Sequence, residues 1–403
     1  MTSWQNARRI LCIRPDNMGD VLMTEPAMRA LRDAVPGRRI TLLASPSGAA
    51  VAPYLGCVDE VITYEAPWVK NDSQAPPEAD LQMIERLRAA SFDAAVIFTV
   101  YSQSALPAAL MCRLSGLPLV LAHSRENPYR LLSDWVREAA PREGGVPDDG
   151  RHEVQRQLDL VQAVGAHTRD IRMRATAFAQ DHEDLDRTLD RHGVRDKQGW
   201  IVLHPGATAE SRRYPAARFA QAVSRLHAET PVLVTGGKSE HGLASMVCQG
   251  NARTVNLAGQ LSLGQLIALI GRARLLISNN SGPVHIAAAT GTPVVDLYAL
   301  TNPQHTPWQV ANRVLNHDVP CRNCYRSVCP QGHHACLLGV EPQQVADAAR
   351  DLLAAESRQR AAPPPAMPDS KPCAPKGGVQ NNNGSTTCIR WESMPPITTA
   401  LPR

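Results

Sequence analysis

The chain has 403 residues, of which 43% are hydrophobic and 20% charged, so it is long enough for two globular domains and has the composition of a folded protein. Its net charge of +4 is too small to indicate a nucleic-acid partner, and no apolar run reaches the ~18 residues that a membrane-spanning helix needs. The first residues contain no secretory apolar segment, so we expect a cytoplasmic protein, with peripheral attachment to the inner face of the cytoplasmic membrane left open.

The first half of the chain alternates short apolar runs with helical stretches. The predicted strands are 10–14, 40–44, 60–64, 94–100 and 119–123, and the predicted helices are 21–34, 77–90, 102–115 and 154–164. Residues 141–150 are expected to form a loop, and residues 171–174 a short strand that closes the domain. This alternation predicts a parallel, doubly wound sheet.

The second half repeats the pattern. The predicted strands are 200–203, 231–235, 254–257, 275–278 and 293–297, and the predicted helices are 181–192, 216–227, 240–248, 263–270, 283–290 and 342–355. We therefore predict two Rossmann-like domains facing each other across a cleft, residues 1–176 and 177–356, each with five or six strands. Residues 357–403 are rich in Pro, Asn and Gly without apolar periodicity, which predicts a disordered tail.

A polar turn follows the apolar run 275–278. Residues 279–282 (Asn-Asn-Ser-Gly) end the strand, and Pro283 suits the first turn of a helix, where its missing N–H costs nothing. A helix N-terminus above a sheet favours anions, phosphate above all, and His285 could add a donor. The same polar residues could instead only cap the helix.

A second polar turn, residues 14–20 (Arg-Pro-Asp-Asn-Met-Gly-Asp), lies between the first predicted strand and the first predicted helix. Ligands of open α/β sheets bind at the carboxyl ends of the strands, where this turn is expected. Asp20 opens the helix and could serve only as its N-cap. Alternatively, its carboxylate is charged at neutral pH and able to accept a proton from an alcohol.

Four stretches together resemble glycosyltransferase family 9, the heptosyltransferases: IRPDNMGDVLMTEPAMRAL, VLHPGATAESRRYPAARFA, VLVTGG and LLISNNSGPVHIAAATGTPVVDLYALTNP. They occur in the family's order, and the resemblance runs from about residue 8 to about residue 355. It implies a GT-B fold with the acceptor on the N-terminal domain and the nucleotide-sugar on the C-terminal domain. It also implies inversion at the anomeric carbon without an obligatory metal or other cofactor.

The resemblance implies ADP-L-glycero-D-manno-heptose as the donor and the lipopolysaccharide inner core on lipid A as the acceptor. We therefore expect an inverting transferase that moves a heptose or related sugar to a lipid-linked or oligosaccharide acceptor at the inner membrane surface. A GT-B enzyme with another nucleotide-sugar donor and a nucleotide-sugar epimerase are the alternatives. A dinucleotide-binding oxidoreductase would need a G-x-G-x-x-G after a strand, and the sequence contains none. A non-catalytic binding module is disfavoured because a carboxylate and a donor loop are both present.

Residue by residue, the resemblance implies that Asp20 is the general base and that seven residues bind the donor. These are Thr208, Arg212, Glu240, Asn280, Ser281, Gly282 and His285. Arg212 or its neighbour Arg213 would offset the charge of the departing diphosphate. Asn280 stands where the family has Asp, which puts the identity of the sugar in question more than the reaction class.

Two further groups of residues are candidates for binding. Arg125 and Arg130 could meet acidic groups of the acceptor, or be two ordinary surface arginines. Cys321, Cys324, Cys329 and Cys336 are close enough in sequence to hold structural zinc or an iron–sulfur cluster. Their spacing is not that of a zinc ribbon, so reduced or disulfide-linked cysteines are favoured over a metal.

Overall fold

The computed structural model describes residues 3–70, 75–138, 150–194, 199–226 and 230–361. The two sheets of the protein lie within one compact unit. The predicted loop at 141–150 lies, except for Gly150, outside the described residues, and so does most of the predicted tail. Residues 357–361, predicted as the start of that tail, instead belong to the last helix.

The first sheet has six parallel strands, and their order across the sheet is β3-β2-β1-β4-β5-β6. The strands are β1 (Arg9–Arg14), β2 (Arg39–Ala44), β3 (Glu60–Thr63), β4 (Ala94–Ile97), β5 (Val120–Ser124) and β6 (Asp134–Arg137). The helices are α1 (Met18–Ala34), α2 (Pro46–Val51), α3 (Pro77–Ala90), α4 (Leu106–Leu114) and α5 (Glu153–Gln162), with a 3-10 turn at Ala52–Tyr54. The central strands β1, β2 and β4 are almost wholly buried, as expected of a parallel sheet covered on both faces.

The second sheet repeats this topology, with order β12-β11-β10-β7-β8-β9. Its strands are β7 (Ile201–His204), β8 (Val232–Val234), β9 (Thr254–Asn256), β10 (Leu275–Asn279), β11 (Val294–Leu297) and β12 (Asn312–Leu315). The helices are α6 (Ala179–Arg191), α7 (Ala216–Ser224), α8 (His241–Cys248), α9 (Leu263–Gly271), α10 (Gly282–Thr290), α11 (Ala335–Leu338) and α12 (Pro342–Ala361), and 3-10 turns lie at Glu210–Arg212 and Lys238–Glu240. The predicted pair of Rossmann-like domains is confirmed, and each sheet has six strands.

The strand order reverses direction at one point in each sheet. In the first sheet this point lies between β1 and β4, and in the second between β7 and β10. Loops at the carboxyl ends of two such strands diverge and leave a crevice, which is where open α/β sheets bind ligands. The turn at 14–20 follows β1, and the turns at 205–212 and 280–285 follow β7 and β10. All three predicted motifs therefore lie at the reversal points.

The two sheets meet through the N-termini of α1 and α10. A Cβ atom added to Gly19 would lie 2.7 Å from Cδ2 of His285, and one added to Gly282 would lie 2.5 Å from Cε of Met18. A side chain at position 19 would collide with the buried ring of His285, so glycine permits the close approach there, whereas at position 282 the flexible end of Met18 would have to move. Below the contact, a single apolar cluster contains residues of both helices, among them Val21 and Val284.

The predicted strand at 171–174 is wrong. The backbone of this segment is bound by side chains instead of by a neighbouring strand: Arg29 donates to the carbonyl of Arg172, and Glu25 accepts the N–H of Arg174. The Nε1 of Trp308 donates to the carbonyl of Ile171. With these groups occupied, no ladder can form.

The sixth strand of each sheet, β6 and β12, was absent from the sequence-based prediction. Each is an edge strand of four residues with no fully buried position, so neither has the apolar run that marks a central strand. Gly291 ends α10 in the left-handed region, with φ +79°, a conformation that glycine adopts without strain. No helix within the described residues is both long and apolar enough to cross a membrane.

Candidate active site

A buried arginine at the end of β1 gathers three carboxylates. The Nη2 of Arg14 lies 3.0 Å from Oε1 of Glu153 and 3.4 Å from Oδ1 of Asp20, and its Nε lies 3.1 Å from Oδ2 of Asp16. The Arg14 and Glu153 side chains are 0% exposed, whereas that of Asp20 is 15% exposed. Of the three carboxylates, Asp20 is thus the one most open to solvent and to a ligand.

Asp20 is not the N-cap of α1, which begins at Met18 with Asn17 as its cap. It occupies the third helical position, where its Oδ2 accepts the backbone N–H of Asn17 at 3.2 Å. Burial raises the pKa of the Asp20 carboxyl, and the nearby charge of Glu153 raises it further. The charges of Arg14 and Arg212 and the N–H of Asn17 oppose this increase. A carboxylate with an elevated pKa is a stronger base than a free aspartate.

Asp16, in the same turn, is held on both sides. Gln103, in the loop after β4, donates to its Oδ1 at 2.6 Å, and Arg14 faces its Oδ2. Burial raises the pKa of Asp16 to about 6. The neighbouring loops of β1 and β4 are thereby joined at the reversal point of the first sheet.

On the second sheet, Asn279 braces the loop after β7. Its Nδ2 donates to the carbonyl of Pro205 at 2.7 Å, and its Oδ1 accepts the N–H of Tyr214 at 2.9 Å. The loop between these two anchors contains Thr208, which is exposed. The loop is therefore fixed at both ends while its hydroxyl remains accessible.

The two arginines of this loop have different roles. Arg213 donates from Nε to the carbonyl of Ala207 at 2.6 Å and from Nη2 to that of Thr208 at 3.4 Å, so it holds the loop itself. The half-buried guanidinium of Arg212 makes no hydrogen bond or ion pair with the residues that the structure describes. Its charge nevertheless lowers the pKa of Asp20 on the facing sheet. Of the two arginines in this loop, Arg212 is the one whose guanidinium has no partner among the described residues.

Glu240 lies over the beginning of the same loop. Its Oε2 accepts the N–H of Gly237 at 2.7 Å, and a Cβ atom added to Gly206 would come 2.0 Å from its Oε1. The glycine therefore allows the carboxylate to rest on the loop backbone. This places Glu240 at the carboxyl ends of β7 and β8.

Asn280 is buried, and its amide donors are both used within the protein. Nδ2 lies 3.0 Å from Oδ2 of Asp296 and 2.9 Å from the carbonyl of His305. The carboxylate that the family pattern has at position 280 is thus absent, and the carboxyl group of Asp296 on the adjacent strand accepts a hydrogen bond from Asn280. Burial raises the pKa of Asp296 to about 8, which keeps this carboxyl mostly protonated at neutral pH.

Replacing Asp296 with Asn is expected to stabilise the protein increasingly as the pH rises from about 4 to about 8. The folded carboxyl, with a pKa of about 8, retains a proton that an unfolded Asp, with a pKa of about 3.9, has lost. Folding then takes up a proton, so wild-type stability falls with rising pH by at most about 1.4 kcal/mol per unit. Urea unfolding across this range measures the difference between Asp296→Asn and wild type. A difference that stays constant with pH would contradict the assignment.

The N-terminus of α10 faces the turn that contains Asp20. Ser281 occupies the N-cap position of this nine-residue helix, but its Oγ makes no capping hydrogen bond and donates instead to the carbonyl of Asn279 at 3.1 Å. Burial lowers the pKa of His285 to about 3, so its ring is neutral. Two buried ring nitrogens, Nδ1 of His285 and Nε2 of His305, have no hydrogen-bond partner among the described residues. Such atoms indicate a place for water or a ligand.

The two candidate acceptor arginines are separated. Arg125 donates to the carbonyl of Tyr101 at 2.8 Å, and its guanidinium lies 4.9 Å from the centroid of the Tyr101 ring. Tyr101 belongs to the loop that also contains Gln103. Arg130 is exposed, and its carbonyl accepts from Arg113 in the last turn of α4. Only Arg125 therefore stands beside the loop that binds Asp16.

The four cysteines of the predicted cluster line one cavity of about 20 Å³ and are free thiols: Cys321, Cys324, Cys329 and Cys336. Between residues 3 and 361, omitting the gaps in the described ranges, no three His, Cys, Asp or Glu side chains converge so that they could hold a metal ion. The cluster in this arrangement does not fit a bound metal.

Comparison with known proteins identifies the family. The family model for glycosyltransferase family 9 (heptosyltransferase) matches residues 81–335, more than half of the chain. The chain belongs to glycosyltransferase family 9. This family 9 chain is 25% identical to lipopolysaccharide heptosyltransferase 2 of Escherichia coli K12 over 376 residues, which cover 86% of the chain and 99% of that protein.

A second relative of this family 9 chain is lipooligosaccharide heptosyltransferase 2 of Campylobacter jejuni, at 30% identity over 168 residues. That match covers 40% of the chain and 53% of the relative, so the chain spans about half the length of this relative. Among solved structures, the glycosyltransferase family 9 protein of Veillonella parvula superposes with a TM-score of 0.69 at 21% identity, covering 86% of this chain and 97% of that one. The shared fold is the two-sheet GT-B arrangement.

Several residues of the site in this family 9 chain escaped sequence reasoning. Arg14 and Asp16 lie in the motif that contains Asp20, and their charge was the available signal. Glu153 and His305 carried no such signal, because each is far in sequence from the groups it meets, whereas Asp296 is 16 positions from Asn280 and lies within the same quoted motif. In contrast, Asp20 lies at the reversal point of the first sheet, and the predicted donor residues lie around the reversal point of the second sheet.

Proposed function

We propose that the protein is an inverting glycosyltransferase that moves a heptose from an ADP-activated donor to an acceptor of the lipopolysaccharide-core type. One observation carries the proposal: Asp20, in the first half of the chain, faces Arg212 and the N-terminus of α10, which belong to the second half. Family membership supports the class of reaction. A nucleotide-sugar already contains its leaving group, so the chemistry needs a base and a cluster of positive groups.

In this proposal Asp20 takes the proton from the acceptor hydroxyl. The hydroxyl oxygen attacks the anomeric carbon, the bond from that carbon to the diphosphate oxygen breaks, and the leaving group departs with the bonding electrons. Attack and departure occur on opposite faces of the sugar, which inverts the configuration. Base and diphosphate must therefore stand on opposite sides of the sugar, as two facing sheets allow.

The departing diphosphate would be held by the second sheet. Arg212 supplies a full positive charge, the N–H groups at the start of α10 supply partial ones, and the hydroxyl of Thr208 is free to donate. Glu240 would bind the nucleoside, and Asn280, Ser281 and His285 would line the sugar. Preorganised donors of this kind stabilise charge that develops in the transition state.

We also propose that residues 1–176 bind the acceptor and residues 177–356 the nucleotide-sugar. Arg125, beside the loop of Asp16, would meet an acidic group of the acceptor, and Arg130 would lie farther out. A lipid-linked acceptor implies that the protein works in the cytoplasm at the inner face of the membrane. The substitution of Asn280 for the family's Asp keeps a related donor sugar as the alternative.

A donor screen tests the proposal. The purified protein is incubated with ADP-heptose or with UDP-sugars, with and without a heptose-deficient core oligosaccharide, and nucleotide release is followed. We expect release that depends on both ADP-heptose and acceptor. Acceptor-dependent release from a UDP-sugar would change the donor, interconversion of a sugar without acceptor would indicate an epimerase, and no transfer from any donor would overturn the proposal.

A further inference from the structure

Glu153 is buried at the first position of α5 and belongs to the site by contact rather than by sequence. Its Oε1 accepts from Nη2 of Arg14 at 3.0 Å and from Nε2 of Gln157 at 2.6 Å, and Nη1 of Arg156 lies 3.7 Å away. Arg14 divides the same terminal nitrogen between Glu153 and Asp20. The position of Glu153 therefore determines how much of the Arg14 cation is left for Asp20.

The second sheet holds the segment that presents Glu153. The backbone N–H of Glu153 donates to the carbonyl of Gln304 at 3.0 Å, and the Nε2 of Gln304 donates back to the carbonyl of Arg151 at 3.1 Å. Nε2 of His152 contacts the carbonyl of Thr306 at 2.8 Å. These three contacts join the start of α5 to the chain that leaves β11.

An aromatic pair reinforces the junction. The rings of His152 and Trp308 stack with centroids 4.4 Å apart and an interplanar angle of 29°. Nε1 of Trp308 donates to the carbonyl of Ile171, in the segment that also binds α1. Burial lowers the pKa of His152 to about 4, so the stacked ring is neutral across the working range of pH. Residues 304–308 thus form a bracket around the first residue of α5.

We propose that Glu153 is a positioning residue for the transfer reaction, that it orients Arg14 against Asp20, and that residues 304–308 of the second sheet hold it in place. The inference rests on the function proposed above, because it gives a role to a residue that acts through the base Asp20. Contact between the two sheets then completes the arrangement of the base as well as the binding of the donor.

The charges around Asp20 determine the direction of the effect. Arg14 and Asp16 face it from β1 and the turn that follows, Glu153 faces it from α5, and Arg212 faces it from the second sheet. Glu153 in turn is faced by Arg14, Arg156 and the neutral ring of His305. Loss of the Glu153 charge removes a repulsion from Asp20 and frees Arg14 to pair with it. Both changes lower the pKa of Asp20 and make it a weaker base.

The test is the pH dependence of transfer in Glu153→Gln. We expect the acid limb of the kcat profile to move to lower pH by at least about 0.5 unit, and kcat at neutral pH to fall about 3- to 10-fold as the base weakens. The donor KM should stay within about 2-fold of wild type, because Glu153 does not line the donor loops. A purely structural loss would lower the rate without moving the acid limb.

Trp308→Ala and Trp308→Phe test the bracket without removing a buried charge. Trp308→Ala should shift the acid limb in the same direction as Glu153→Gln but less, and Trp308→Phe, which keeps a stacked ring, should remain nearer to wild type. The double variant Glu153→Gln/Trp308→Ala should show no further shift than Glu153→Gln alone, because both act on one group.

An unmoved acid limb in both Glu153→Gln and Trp308→Ala would overturn the inference, and a shift in Glu153→Gln alone would overturn the role given to residues 304–308. Both results are compatible with the proposed function, in which wild type transfers sugar and the Asp20 variant does not. Failure of the proposed function has another signature, namely no transfer by wild type or an unimpaired Asp20 variant.

Discussion

Asp20→Asn should transfer sugar at least ~100-fold more slowly than wild type while it still binds the donor nucleotide. The amide is nearly isosteric with the carboxylate and keeps an oxygen to accept the N–H of Asn17, so the start of α1 is retained. It cannot take a proton from the acceptor hydroxyl. Steady-state transfer rates and calorimetric titration with ADP separate the two effects, because the rate should fall and the dissociation constant should not change.

Asp33→Asn provides the matched control, since Asp33 is an exposed carboxylate on the same helix. It should leave both the rate and nucleotide binding as in wild type. If Asp20→Asn transferred sugar as fast as Asp33→Asn, Asp20 would have no part in proton removal. If Asp20→Asn lost both transfer and nucleotide binding, the variant would be judged misassembled, and the less perturbing Asp20→Glu would be compared for partial recovery.

The second large effect is expected at Arg212. Arg212→Ala should lower kcat/KM for the donor by about 100-fold, because one preorganised cation facing the leaving diphosphate is lost. Arg212→Lys should recover part of the loss, since the charge is kept but the planar, two-point contact is not. Initial rates at varied donor concentration, together with titration by ADP, measure the change in each kinetic constant.

Variants of two other arginines serve as controls for Arg212→Ala, because they show whether the loss of any arginine charge would lower activity. Arg187→Ala removes an exposed arginine whose side chain is 63% accessible on α6, and should behave as wild type. Arg213→Ala removes the two hydrogen bonds to the loop carbonyls, so it should lower thermal stability as well as activity. Equal activity of Arg212→Ala and Arg187→Ala would show that the diphosphate is neutralised elsewhere.

The double sheet was predictable because its central strands are buried on both faces. Runs such as Leu275–Asn279 leave little choice of structure, and the helices between them have apolar faces of the right period. The edge strands β6 and β12 have no buried position and no apolar run, so they were not found, whereas the edge strands β3 and β9 were. The segment at 171–174 had the apolar alternation of a strand, but side chains of α1 bind its backbone, and such distant partners are not encoded locally.

The candidate site divides in the same way. Asp20, Arg212 and the turn before α10 could be named because each follows a buried strand in a recognisable motif. The choice between Arg212 and Arg213 could not be made, since it depends on which guanidinium reaches the loop carbonyls. Glu153 is 139 positions from Arg14, and only the assembled fold brings the two charges together.

The apolar cluster that α1 and α10 share has a consequence for how a large donor enters. The same cluster contains Val21 and Leu22 from α1 and Val284 and Ile286 from α10. Moving the sheets apart would expose this apolar surface to water, at a free-energy cost of about 25 cal/mol per Å². A motion that preserves the contact between these two helices would leave that surface covered. If the protein binds a nucleotide-sugar as proposed, we expect the cleft between the sheets to widen by rotation about the contact between α1 and α10. The apolar cluster at that contact would then stay closed to water.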